Sequence, residues 1–322
     1  MNSWLIMAFI AGAPFILITP LLNYFCYYIP NYRYYDYVLF NVPHVFSGFA
    51  VAYLSEKRYK NPALFIAVPF VIFISTIFFY TLGYTFEIGI IRFYWGLYHI
   101  LFQYHYLLGF FKLRNQRLFT ADKILDMLVF IAGGIYLGFH YLYDIQSKLA
   151  AKWNFLKFSI DTHFLECILI LAWLTGGCFL ARQIICFFRW KQLFFFKILM
   201  VFNFYFLLMS TKNLPVSAYY RLIMLHSVQY ISWVWLYHQN KFKGLINRET
   251  WFISFLSQRR CILLYLLFFI SISMLYMIIV RSKAGLGRYF EPEAIIAGVA
   301  LTHFFLDGII WRRDPALKLK NL

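Results

Sequence analysis

The sequence predicts an all-α fold, a polytopic bundle of membrane-spanning helices, on three observations. Apolar runs of about 20 residues, the length an α-helix needs to cross the hydrocarbon layer, recur along the chain. With 62% hydrophobic and 13% charged residues and a mean hydropathy of +0.66, most helices lack a wet face. Charged residues, finally, collect in short runs between the apolar ones.

Taken in order, apolar stretches bounded by charge, Pro or Gly give about ten spans. The first covers roughly 4–28; it opens without a basic region and is long enough to span, so it reads as a retained helix despite Ala11-Gly12-Ala13. The second, roughly 37–55, carries Asn41 and Pro43, which predict a local helix break, and stops at Glu56-Lys57-Arg58. The third, roughly 62–84, opens at Pro62 and ends by Gly83; the fourth, roughly 90–111, stops at Lys112. The fifth, roughly 123–143, contains Gly134 and Gly138 in G-x-x-x-G spacing, which permits close helix approach. The sixth and seventh, roughly 164–186 and 192–211, are divided by Arg189 and Lys191. The eighth, roughly 216–238, follows Pro215; the ninth, roughly 261–281, follows Arg259-Arg260; the tenth, roughly 293–311, runs from Pro292 to Arg312-Arg313. Between the eighth and ninth, Trp251 to Leu256 reads as a short amphipathic segment on the membrane surface. The longest loops, about 144–162 and 239–260, are too short for a core of their own, so residues 1–322 read as a single transmembrane domain.

Charge sets the orientation. With both termini on one face, 20 of the 30 Lys and Arg residues fall on that face and 10 on the other, so both termini are expected in the cytoplasm. The net charge of +17 is therefore loop charge on a membrane protein, and nucleic acid is not expected as a partner. Five cysteines without C-x-x-C pairing predict neither a disulfide scaffold nor a thiolate zinc site. The chain also lacks G-x-x-x-x-G-K-[ST], G-x-S-x-G and H-E-x-x-H, which lowers the case for nucleotide, serine-hydrolase or zincin chemistry.

Chemistry gathers at one depth. His44, His99, His226 and His303 lie on the second, fourth, eighth and tenth spans, about 10 to 15 Å from the outer end at 1.5 Å per residue. Ionisable groups inside the bilayer are costly and mark sites, so a layer of imidazoles predicts a metal centre near the midplane. Asp307 follows His303 by one turn and shares its face, as ligand or base. Tyr230, one turn after His226, is the other candidate catalytic group, while Asn41, Gln103 and Gln229 are placed to orient the ligands. A single such histidine can equally bond a neighbouring carbonyl; four in one layer with a carboxylate argue for the joint site. His105, His140, His163 and His238 are expected on other faces or at the membrane interface. Trp95, Trp233 and Trp311 share faces with the histidines and could wall an apolar pocket or belong to the interfacial aromatic belt.

Imidazoles with a carboxylate suit iron, zinc or copper, and the open-sided histidine and carboxylate set is typical of iron that activates oxygen. Iron is therefore the expected cofactor, and the expected activity is that of a membrane oxidoreductase acting on a lipid-soluble substrate that enters from the bilayer, with an electron-donor partner. Two other classes stay open: a transporter or channel using the polar layer as an ion or substrate site, and a haem-bearing electron carrier.

The strings from His226 to Tyr237 (H-S-V-Q-Y-I-S-W-V-W-L-Y) and from His303 to Pro315 (H-F-F-L-D-G-I-I-W-R-R-D-P) resemble segments of an uncharacterised group of bacterial multi-pass membrane proteins with intramembrane histidines. In overall plan, with single histidines on several spans, the chain is also similar to the bacterial membrane-embedded carotene-cleaving dioxygenases. That resemblance is one of architecture; it implies histidine-bound iron, a long apolar polyene as substrate and a location in the bacterial inner membrane.

Overall fold

A computed structural model describes residues 37–54, 61–113, 120–153, 159–190, 195–209, 215–243, 245–282 and 290–313. Helices alone form the regular structure of these residues, with no strand among them. The helices are α1 (Val42–Phe49), α2 (Val68–Thr81), α3 (Thr85–Leu113), α4 (Thr120–Lys152), α5 (Thr162–Trp190), α6 (Phe195–Met209), α7 (Pro215–Phe242), α8 (Trp251–Leu256), α9 (Ile262–Arg281) and α10 (Pro292–Arg313). The span expected at 4–28 and both termini lie outside the described residues.

Among the described residues, five helices are long and apolar enough to cross a membrane: Ala63–Thr81, Asp122–Lys152, Thr162–Arg189, Arg259–Arg281 and Pro292–Trp311. Their large apolar side chains face outward, Phe70, Ile170, Leu174 and Leu263 among them, as a lipid-facing surface requires and a water-facing one does not. The loop expected at 144–162 is shorter than that, because α4 continues to Lys152. The segment at 251–256 is helical, with Trp251 exposed and Ile253 and Leu256 buried, an amphipathic pattern.

The expected break at Asn41-Val42-Pro43 is not a break. Asn41 keeps helical dihedrals (φ −69°, ψ −50°), and wider π-turns, Tyr37–Asn41 and Ala50–Leu54, flank α1. Pro43 has no N–H to donate one turn back, and widening of the preceding turn accommodates the loss without ending the helix.

The described chain divides into two compact units. Residues up to His99 and from His226 onward form the first, and Ile100–Leu225 form the second, so α3 and α7 each contribute to both. In the first unit, α10 packs along α2, and both α9 and α10 pack on α1. Small residues allow this: a Cβ on Gly298 would stand 2.8 Å from the Phe73 ring. The core around that contact holds Val38, Val42, Ile77, Met277, Val280 and Ala294.

In the second unit α4 packs against α5 and α6. The close approach expected from Gly134 is present, and Gly133 shares it: their Cβ positions are taken by the side chains of Leu101 and of Phe204 and Leu208. Among the described residues, ion pairs cross between helices here. Arg182 Nε lies 2.6 Å from Asp122, and Lys197 meets Asp126 with both side chains almost fully buried. Arg182 and Lys197 are thus more than loop charges, since each neutralises a carboxylate one turn from the other on α4.

Candidate metal centre

All four histidines of the predicted layer converge within the first unit, on one side chain from each of α1, α3, α7 and α10. They are buried, with exposures of 2% for His44, 4% for His99, 2% for His226 and 0% for His303. Each turns Nε2 inward. His303 Nε2 lies 2.8 Å from His44 Nε2, and His226 Nε2 lies 3.3 Å from His99 Nε2. The ring centroids of His44 lie 4.7 Å from His226 and 4.5 Å from His303, so the two pairs form one cluster.

Asp307 completes it. Its position four residues after His303 places both on one face of α10, with Oδ2 3.6 Å from His303 Nε2 and 3.8 Å from His99 Nε2. The other carboxylate oxygen, Oδ1, accepts the Tyr230 O–H at 2.8 Å, and Trp311 Nε1 donates to Oδ2 at 3.4 Å. Tyr230, expected beside His226, is thereby the group that fixes the carboxylate; its ring also stands edge-on to His44 at 4.3 Å.

These separations bear on what can sit between the nitrogens. Two lone pairs facing each other at about 3 Å repel unless a proton or a cation lies between them. A first-row ion about 2.1 Å from each ligand atom spaces neighbouring atoms by about 3.0 Å in an octahedron and about 3.4 Å in a tetrahedron. The observed 2.8 and 3.3 Å between nitrogens, and 3.6 and 3.8 Å from nitrogen to carboxylate, bracket both. Two groups, His44 with His99 and His226, and His99 with His303 and Asp307, each bring their ligand atoms within 4.8 Å of one another. His99 belongs to both, so the donors suit one shared centre or two adjacent ions.

Ring orientation is set largely by packing. Nδ1 of His44 and of His303 has no hydrogen-bond partner among the described residues. Phe304 instead lies 4.8 Å from the His99 ring and Phe49 lies 6.2 Å from His303. Of the groups expected to orient the ligands, Asn41 is half-buried, and its side chain does not cap α1. Gln103 is buried in the second unit. Gln229 is fully buried, and neither of its amide atoms has a hydrogen-bond partner among the described residues.

The remaining histidines behave differently from one another. His163 is exposed beside Glu166, and His140 is 3.7 Å from Asp144 one turn on. His238 departs from the interfacial expectation: it is wholly enclosed, between Phe242 and Tyr265.

Sequence reasoning missed Gly48. A Cβ there would stand 2.8 Å from Cε1 and Nδ1 of His303 and 2.9 Å from the Tyr230 oxygen. Its absence is what lets α1 carry His44 up to His303. The signal was present, since Gly48 is one turn from His44 and so on the same face. No family model matches this chain, and no curated protein or solved structure matches it either.

Proposed function

We propose that this chain is an integral-membrane, metal-dependent oxidoreductase whose centre is held by His44, His99, His226, His303 and Asp307. The observation that carries the reading is the convergence of four buried Nε2 atoms and one carboxylate oxygen from four helices. A donor set of imidazoles and one carboxylate suits non-haem iron, and such an ion supplies one-electron chemistry and an open position for activating oxygen. Haem fits less well: two axial nitrogens on one iron stand about 4 Å apart, more than either close pair here.

The protein's own groups have assignable parts. Tyr230 and Trp311 hold the Asp307 carboxylate by hydrogen bonds to its two oxygens. Phe49 and Phe304 close the histidine cluster to water with apolar rings, the environment in which a lipid-soluble substrate is at home. Such a substrate, a polyene, fatty acyl chain or quinone, enters from the bilayer. In this reading the chain has ten spans with both termini in the cytoplasm of a bacterium, lies in the inner membrane, and draws electrons from a donor partner.

Metal analysis with an optical spectrum of the detergent-purified protein, beside a His226→Ala, His303→Ala double variant, tests this. Near-stoichiometric iron, lost in the double variant, is the expected result. A Soret band would transfer the assignment to haem, and no metal in either sample would favour transport through the polar layer.

A further inference from the structure

The stretch that joins α7 to α9 displays charge and apolar surface together. It carries Lys243, Arg248, Arg259 and Arg260, all exposed, against one acidic residue, Glu249. Among them stand three large apolar side chains that are just as open: Leu245 at 72%, Ile246 at 53% and Trp251 at 61% exposure. Hydrogen bonds hold this surface in shape. The Asn247 N–H donates to Ser254 Oγ at 3.0 Å and the Glu249 N–H donates to Asn247 Oδ1 at 2.9 Å, so the backbone on both sides of Arg248 is tied down. The buried Ser254 and Ser257 hydroxyls donate to the carbonyls of Trp251 and Ser254, three residues back. Phe252 meets Phe268 of α9 edge-on at 4.8 Å, and Ile253 and Leu256 are buried, which fastens α8 and leaves Trp251 outside. Depth follows from α9. The span Arg259–Arg281 begins in this stretch, and Leu263 and Leu264 on its first turn are exposed as lipid contact requires. Arg259 and Arg260 therefore stand where acyl chains give way to headgroups.

We propose that this stretch is a docking surface for anionic phospholipids of the leaflet in which α9 begins. Leu245, Ile246 and Trp251 enter the acyl boundary, and Arg248, Arg259 and Arg260 meet headgroup phosphates. Three large apolar side chains open to water are unfavourable, and guanidinium groups in the hydrocarbon layer are more so; only the interface suits both. Indole is also the side chain most at home at that depth. The charge selects the lipid. A zwitterionic headgroup carries an ammonium that offsets its phosphate, whereas four cations against one carboxylate favour a headgroup with a net negative charge. Arginine adds geometry, since its planar fork donates two parallel hydrogen bonds to one phosphate, and Arg260 is already steered by Gln258, whose Oε1 accepts from its Nε at 3.1 Å. An acidic soluble protein would match the charge. It would have to displace headgroups from a surface that continues into the lipid-facing first turn of α9, and lipid is already there. Each basic side chain close to an anionic leaflet strengthens binding by about fivefold, so three arginines together are worth about tenfold or more.

Photolabelling reads this surface locally. The full chain is placed in phosphatidylcholine nanodiscs containing a minor fraction of either phosphatidylglycerol or phosphatidylcholine with a photoactivatable acyl chain, and the labelled peptides are mapped by mass spectrometry. Phosphatidylglycerol is expected to label residues 245–263 well above phosphatidylcholine. The triple variant Arg248→Gln, Arg259→Gln, Arg260→Gln is expected to lower that labelling by about tenfold or more. A charge-matched control, Lys148→Gln, Lys152→Gln, Arg281→Gln, removes as many cations elsewhere and is expected to stay near wild type. Excess glycerol phosphate, the soluble part of the same headgroup, is expected to change nothing. Equal labelling by the two lipids overturns the proposal and leaves an acidic protein as the fitting occupant. Equal loss in the triple variant and the control overturns it in favour of bulk attraction to the leaflet, and displacement by glycerol phosphate overturns it in favour of a soluble anion. If the triple variant does not fold to a monodisperse particle, Arg248→Gln alone, on an exposed turn, is expected to lower labelling by about fivefold, and no loss there overturns the proposal.

Discussion

Gly48→Ala tests the centre without touching a ligand. The added methyl carbon would sit 2.8 Å from two atoms of the His303 ring, where ordinary contact begins near 3.4 Å, so about 0.6 Å must be recovered. The backbone of α1 cannot retreat without carrying His44 with it, and the Tyr230 oxygen, 2.9 Å from the same carbon, blocks a sideways escape. His303 therefore moves. Ligand atoms must lie within about 0.2 Å of their bonding distances, so a displacement three times that size removes His303 Nε2 from the set. Overpacking is expected to cost about 1–3 kcal/mol of stability, and metal affinity to fall by about 10- to 100-fold or more. The control is Gly89→Ala in α3, where a Cβ meets nothing within 4 Å. Metal titration of both variants in detergent, with thermal unfolding in parallel, decides the matter. Wild-type affinity in Gly48→Ala would refute the argument, because it would mean the His303 ring need not be where it stands.

Tyr230→Phe deletes the hydrogen bond to Asp307 Oδ1 and leaves the ring against His44; metal affinity is expected to fall by about 10- to 100-fold with little change in folding, read by the same titration. Asp126→Asn leaves the Lys197 ammonium buried without its carboxylate and is expected to cost about 3–5 kcal/mol, seen as a lower unfolding temperature with iron content per folded molecule unchanged. Replacing both partners, Asp126→Asn with Lys197→Met, is expected to recover most of that loss. Gly133→Leu forces a large side chain into space held by Phe204 and Leu208 and is expected to reduce the yield of folded protein, measured by size-exclusion chromatography.

Much of this was legible in the sequence because a bilayer simplifies the code. With no water to satisfy the backbone, a long apolar run has to be a helix, and its ends are written in Lys, Arg and Pro. The helices α9 and α10 accordingly begin and end within a residue or two of the apolar runs at 261–281 and 293–311. The histidine cluster was legible for a related reason: an ionisable side chain inside a membrane is costly, and equal depth on several helices is already a statement about proximity. Where hydropathy and polarity pulled in opposite directions the reading weakened. The helices α3 and α7, 29 and 28 residues long, have the length to cross a bilayer but mix polar with apolar side chains along it, and neither is among the five described helices that are both long and apolar enough to span.

What escaped was whatever depends on which faces meet. The close approach of α1 to the His303 ring depends on Gly48, and a glycine among apolar residues announces nothing until its neighbour across the gap is known. Lys197 looked like a loop charge because it stands at the start of an apolar run, and only the register of α4 against α6 brings Asp126 beside it. Trp311 was read as a wall or a belt residue because its type suits both. Its hydrogen bond to Asp307 and its stack on Trp233 come from the matched two-turn offsets on α7 and α10, which matter only once His226 and His303 are known to share one cluster. Depth can be read along one helix, but contact needs two. The side chains that hold a ligand from behind are therefore the last part of a membrane site that a sequence gives up, and the first place where a conservative substitution should separate a built centre from a chance gathering of histidines.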